Sequence, residues 1–196
     1  MPYSRQHKDD TRRRILESAR RLFNRKGFSE VSIEEIMENA GLTRGGFYRH
    51  FGGKEELYAE AVRWFLCADA PKPWRNKPKT RGTERKPRSE RVVDAYFSRD
   101  HFIDRESCCP LIALPSDVAR GGDAVKGAYR EVLERLVEIF QLDLNEPGSR
   151  ERALALVVLC IGGVVAARSV DDPALANDLR NAAYRYALRT GGWSAD

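Results

Sequence analysis

The sequence predicts an all-α protein in which a small N-terminal helix-turn-helix module precedes a larger helical domain, about nine helices together. Three observations carry this. Apolar residues recur at the helical period through most segments, no stretch alternates with the period of a strand, and two short helical patterns meet at a three-residue turn after residue 40.

The first helix is written between Asp10 and Lys26, where Ile15, Ala19, Leu22 and Phe23 form one stripe and Gly27 ends it. Val31-Ser32-Ile33-Glu34-Glu35-Ile36 is a capping box: Ser32 caps, Glu35 reciprocates at the third helical position, and Val31 staples onto Ile36. The second helix therefore starts at Ile33 and ends at Gly41. Gly41-Leu42-Thr43 leaves room only for a tight corner, and Thr43 is placed to cap a third helix from Arg44 to Phe51. On that helix Phe47 and Phe51 point into the core, while Arg44, Gly45, Tyr48 and Arg49 project from the other side. A helix with an aromatic anchor and a basic, hydroxyl-bearing face suits the major groove. Gly45-Gly46 costs such a helix about 1 kcal/mol per glycine against alanine, so the pair marks either a close backbone approach or a frayed start.

Charge placement agrees. Residues 1–54 carry 12 Lys and Arg against 7 Asp and Glu, whereas the remaining 142 residues balance at 22 against 22. A basic head on a neutral body suits an acidic polymer such as duplex DNA, although a solvated basic face has the same composition. With 42% hydrophobic and 32% charged residues the composition is that of an ordinary soluble domain. No apolar run reaches the roughly 18 residues of a membrane span, and MPYSRQHKDD has no apolar signal core, so a cytoplasmic protein without membrane contact is expected. Four cysteines, Cys67, Cys108, Cys109 and Cys160, lie in no C-x-x-C pattern and are expected to remain thiols in a reducing compartment.

Ser32 to Lys54, SIEEIMENAGLTRGGFYRHFGGK, resembles the helix-turn-helix of TetR/AcrR regulators: the Gly-hydrophobe-Thr turn, Phe47-Tyr48, His50-Phe51 and Lys54 all fall in register. The likeness extends back through ILESARRLF and Gly27-Phe28 and covers about residues 9–66. It implies a homodimer that reads a palindromic operator, most simply as a repressor relieved by an unidentified small molecule. It also assigns roles. Thr43, Tyr48, His50 and Lys54 would meet phosphates or sugars, Arg44 a base edge, and Gly45, Gly46, Arg49 and Ser32 would complete the DNA face. Arg5, Lys8 and Arg12 to Arg14 form a basic arm that either follows the DNA or is a solvated tail.

Residues 9–69 are thus expected as the DNA-binding domain, with Lys54 to about Ala70 a fourth helix bearing Leu57, Ala61, Trp64 and Phe65. Residues 70–90 form a basic loop containing Pro71, Pro73, Pro78 and Pro87, and 91–196 a ligand-binding and dimerisation domain. There Val92, Val93, Tyr96 and Phe97 mark a helix, the chain is irregular through Arg105, Pro110 opens the next helix, and Pro115 kinks or splits it. Asp123 to Phe140 is periodic at Val125, Tyr129, Val132, Leu133, Leu136, Val137 and Phe140. Ala153 to Ala167 is apolar without a break and must be covered all round. The last helix, opened by Asp172-Pro173, is expected to turn Leu175, Leu179, Ala183 and Tyr186 inward. By the resemblance, 150–169 and 173–190 form the dimer interface, with Leu156, Leu159, Cys160, Gly163, Ala167, Leu179, Ala183 and Tyr186 its candidates.

Candidate effector residues are Trp64, Phe65, Tyr96, Phe97, Cys108, Cys109, Tyr129 and Leu133, equally well explained as core; their apolar character suggests an apolar or small neutral ligand. Cys108-Cys109 at a helix start raises the alternative of a redox or electrophile sensor, against plain packing. Enzyme chemistry has no foothold: no phosphate loop, dinucleotide fingerprint, nucleophile elbow or zinc motif occurs, and His7, His50 and His101 are dispersed. No cofactor and no metal are expected. A non-specific DNA binder shares the basic head and is the remaining alternative.

Overall fold

A computed structural model describes residues 5–66, 86–144 and 147–193. They form ten α-helices and two 3-10 helices: α1 Arg5–Lys26, α2 Ile33–Asn39, a 3-10 helix Arg44–Arg49, α3 Lys54–Arg63 extended by a 3-10 turn Trp64–Leu66, α4 Arg88–Phe97, α5 Arg99–Ile103, α6 Pro110–Ala113, α7 Pro115–Arg120, α8 Asp123–Leu144, α9 Ser149–Arg168 and α10 Pro173–Gly191. The all-helical expectation holds. Cys67 and most of the expected basic loop, residues 71–85, lie outside the described residues.

The chain divides into two compact units, one of residues up to 68 with 105–132 and the other of 69–104 with 133–196. This cut differs from the sequence-based one, because 105–132 packs with the N-terminal helices. Asn24 Nδ2 donates to the carbonyls of Glu106 and Cys108 at 3.1 and 2.9 Å, Arg20 donates to Glu106 at 3.0 Å, and the Phe28 N–H donates to Asp117 Oδ2 at 2.9 Å. Residues more than 80 positions apart are involved, so no local pattern announces these bonds.

In the first unit Ile15, Ala19, Leu22 and Phe23 of α1 meet Ile36 and Met37 of α2, Phe47, Phe51, and Leu57, Tyr58 and Val62 of α3 in one buried core. Phe23, Phe28 and Tyr58 form an aromatic triad with centroids 4.8–5.9 Å apart. Tyr58 is almost fully buried and its hydroxyl has no hydrogen-bond partner, so burial above all, with Asp117 nearby, drives its pKa up.

In the second unit α9 and α10 run antiparallel and pack with α4. Gly163 permits the closest approach, since a Cβ there would lie 2.4 Å from Ala183 Cβ and 3.2 Å from Phe97. Arg152 Nε donates to the Thr190 carbonyl at 2.9 Å near the far end of the pair. Two expectations are corrected here. Residues 99–103 are helical because the Ser98 hydroxyl caps the His101 N–H. On α10 Leu175 and Tyr186 face outward, as the small Ala176, Ala187 and Gly191 take the buried side and let the helices close up.

Candidate nucleic-acid interface

The helix-turn-helix is fixed by caps and by one glycine. Ser32 Oγ accepts from the Glu35 N–H at 3.1 Å, which commits this hydroxyl to starting α2. At the other end the Gly41 N–H donates to Glu38 and the Leu42 N–H to Met37, both at 2.8 Å, a Schellman closure that needs the left-handed φ of +66° found at Gly41. Arg14 donates to the Ala40 carbonyl at 2.6 Å and Ser18 to that of Ile36 at 2.8 Å, so α1 clamps α2 through its last carbonyls.

The segment after the turn is a 3-10 helix where the sequence suggested an α-helix to Phe51. Thr43 takes the extended cap conformation, but its side chain makes no cap bond. Two glycines and no side-chain cap favour the tighter, shorter form. Phe47 and Phe51 are buried, with ring centroids 5.8 Å apart, and Phe47 meets Tyr48 edge-on at 5.2 Å. Tyr48 is thereby steadied while remaining 61% exposed. Arg44, Gly45 and Arg49 are exposed beside it. No atom approaches within 4 Å of the position a Gly45 side chain would take, whereas Gly46 is 3.6 Å from Met37, so the second glycine faces the core and the first faces open space. Arg44 Nη1 pairs with Glu34 Oε1 of α2.

Several cations proposed for DNA have internal partners. Lys54 Nζ donates to the Val31 carbonyl at 2.7 Å and sits 4.3 Å over the Phe28 ring, and the attendant desolvation lowers its pKa. Arg12 Nη2 donates to both carboxylate oxygens of Glu60, at 2.5 and 2.6 Å, and the guanidinium lies 4.5 Å over Phe51. The arm from Arg5 to Arg14 is helical, the first half of α1, rather than a tail. His50 is half-buried and its Nδ1 has no partner; burial first, then Lys8, Arg12 and Arg49, lower its pKa, so it is neutral at pH 7. Ahead of α3 the Gly52 N–H donates to Glu56 at 2.7 Å, a carboxylate already standing where a phosphate is expected.

This face matches a known module: a family model described as bacterial regulatory proteins of the tetR family covers residues 15–61, which include both helices, the turn and most of α3. Residues 15–61 are thus similar to the DNA-binding module of the TetR family. Relatives of the chain include the uncharacterized HTH-type transcriptional regulator YerO of Bacillus subtilis, 30% identical over 126 residues, which are 64% of this chain and 43% of that protein. The HTH-type transcriptional regulator AcrR of Shigella flexneri is 44% identical over 57 residues, 29% of this chain and 26% of its own length. The chain thus matches less than half the length of these curated relatives. Among solved structures the reduced form of Escherichia coli NemR superposes with a TM-score of 0.72 at 17% identity, covering 92% of this chain and 96% of that one. A TetR-family regulator from Cytophaga hutchinsonii gives 0.69 at 19% identity, covering 96% and 98%. Both curated relatives are described as HTH-type transcriptional regulators.

The expected effector residues fall in both units. In the first, Arg20 lies 5.3 Å over Trp64, Phe65 is half-buried, Cys108 and Cys109 are buried, and Tyr129 donates its hydroxyl to the Leu111 carbonyl at 3.0 Å. Burial, with Cys109 nearby, pushes the Tyr129 pKa up to about 12. In the second, Tyr96 is buried edge-on to His101 at 5.5 Å and Leu133 is half-buried. Phe97 lines a cavity of about 320 Å³ together with Lys86, Asp94, Arg180, Asn181 and Tyr184. In its lining Tyr184 donates to Asp94 at 2.7 Å and Lys86 pairs with Asp94 at 2.9 Å.

The expected dimer residues also separate. Leu156, Cys160 and Ala167 are buried within the protomer, Gly163 and Ala183 meet across the α9–α10 contact, Leu159 and Leu179 are half-buried, and Tyr186 is exposed. The outward apolar residues of α9 are Leu154, Val158, Ile161 and Val165, and those of α10 are Leu175, Leu179, Ala182 and Tyr186. Both sets are spaced four, three and four apart. On α10 this stripe contains the predicted Leu179 and Tyr186, whereas on α9 it shares no residue with the predicted set, because periodicity cannot fix a side on a helix apolar all round. Among the described residues no helix is long and apolar enough to cross a membrane, and no group of three His, Cys, Asp or Glu side chains is placed to hold a metal.

Proposed function

We propose that the chain is a homodimeric, sequence-specific DNA-binding transcriptional regulator that represses from a palindromic operator and is released by a small-molecule effector. The observation that carries this is the surface after the turn, where Arg44 and Tyr48 stand exposed on a segment held by two buried phenylalanines. Arg44 supplies a base-edge contact, Tyr48 and Arg49 supply contacts to the DNA backbone or a thymine methyl, and the open Gly45 lets the main chain come near. His50 and Thr43 lie next to this surface.

The stripes on α9 and α10 support the dimer. Val158 is 68% and Tyr186 58% exposed, and two protomers apposed along these stripes bury them in a four-helix arrangement. Two reading heads are what an inverted repeat requires, with half-sites about one helical turn apart. The effector acts by preferring a state in which the heads no longer match that spacing. Selection of duplexes bound by the purified protein from a random pool tests the reading: it enriches an inverted repeat, and a pool that stays random contradicts it.

A further inference from the structure

We propose that Glu34 sets the sequence specificity of the DNA-binding face by buttressing Arg44, an inference that rests on Arg44 being the base-contacting residue. Glu34 is the second residue of α2 and reaches across the turn to the Arg44 guanidinium at the start of the 3-10 helix. The neighbouring acid is otherwise employed, since the Glu35 carboxylate pairs with Lys26 at 2.6 Å and its N–H is capped by Ser32. Among the described residues Glu34 forms no second ion pair, and half of its side chain is exposed beside Arg44.

Guanidinium geometry makes the pair useful. Five N–H donors serve a carboxylate on one edge and still leave two for guanine O6 and N7 on another. An arginine 64% exposed at a helix start otherwise samples many rotamers and reaches phosphates as readily as bases. The carboxylate removes that freedom in one direction. It also places a negative charge on a surface that approaches phosphates, which penalises every register lacking a guanine to engage the arginine. Specific binding therefore gains from order, and random binding is opposed by repulsion.

The test measures affinity for the selected duplex and for a scrambled one, at one salt concentration, with wild type, Glu34→Gln, Arg44→Ala and the double variant, each checked for an unchanged thermal melt. Glu34→Gln is expected to lower the ratio of selected to scrambled affinity about ten-fold, by weaker binding to the first and tighter binding to the second. In the Arg44→Ala background the same change leaves the ratio unaltered. A preferring wild type whose Glu34→Gln form keeps its ratio within about two-fold overturns the buttress alone, as does an equal drop with and without Arg44. A wild type without preference overturns the DNA-reading surface and the buttress with it.

Discussion

The division between exposed and committed cations is decided at single residues. Arg44 has one exposed acidic partner, and its replacement by alanine is expected to cost about 1–3 kcal/mol of discrimination at one base pair, as read from paired binding isotherms on the selected and a substituted duplex. Lys54 is different, because its ammonium is spent on the Val31 carbonyl and the Phe28 ring. Lys54→Ala is therefore expected to lower folding stability by about 1–2 kcal/mol in urea unfolding, a loss that a lysine serving only DNA would not show. His101 gives a pH signature. Burial first, then Arg168, lowers its pKa to about 4 against Asp104. The unfolded chain takes up the proton near 6.5 and the folded chain only near 4, so stability is complete above 6.5 and declines as the pH falls towards 4. Between pH 7.5 and 5.0 the wild type should lose about 2 kcal/mol more than His101→Gln, and equal losses would contradict the burial cost assigned to this ring.

At the scale of elements, what was legible in the sequence is what local chemistry controls. Ser32 with Glu35, Gly41 in a left-handed turn, the aromatic pair Phe47 and Phe51, and Pro115 dividing α6 from α7 follow from neighbours within a few positions. Legibility ended where a partner lay far along the chain. Asn24 and Asp117 stitch 105–132 to the first helices across more than 80 residues, and the outward side of α9 depends on which stripe meets α10 rather than on hydrophobicity. Lys54 illustrates a family role meeting a local one: its position matches the motif, yet its ammonium is turned to its own fold. The helix contact itself is testable. Gly163→Ala should destabilise the protein by about 1–3 kcal/mol, since its methyl collides with Ala183, whereas Gly127→Ala on α8, with no atom within 4 Å, should stabilise it by about 0.5–1 kcal/mol. Thermal melts of the two variants should move in opposite directions.

For the whole molecule, the proposed dimer would couple assembly to reading, since one protomer presents one head and the proposed inverted repeat needs two. Val158→Asp places a charge on the outward stripe of α9 without touching the buried side, so it should leave helical content unchanged while shifting sedimentation from two subunits to one. Operator affinity should fall with the dimer. A Val158→Asp protein that remains dimeric would move the interface elsewhere. The most direct measurement of the central claim is a fluorescence-anisotropy titration of wild type and an Arg44→Ala, Tyr48→Ala protein against the selected inverted repeat and a scrambled duplex of the same length. The account predicts that wild type prefers the repeat by at least about 100-fold and that the double variant binds both duplexes equally. Equal binding of both duplexes by wild type, or an undiminished preference in the variant, would contradict it.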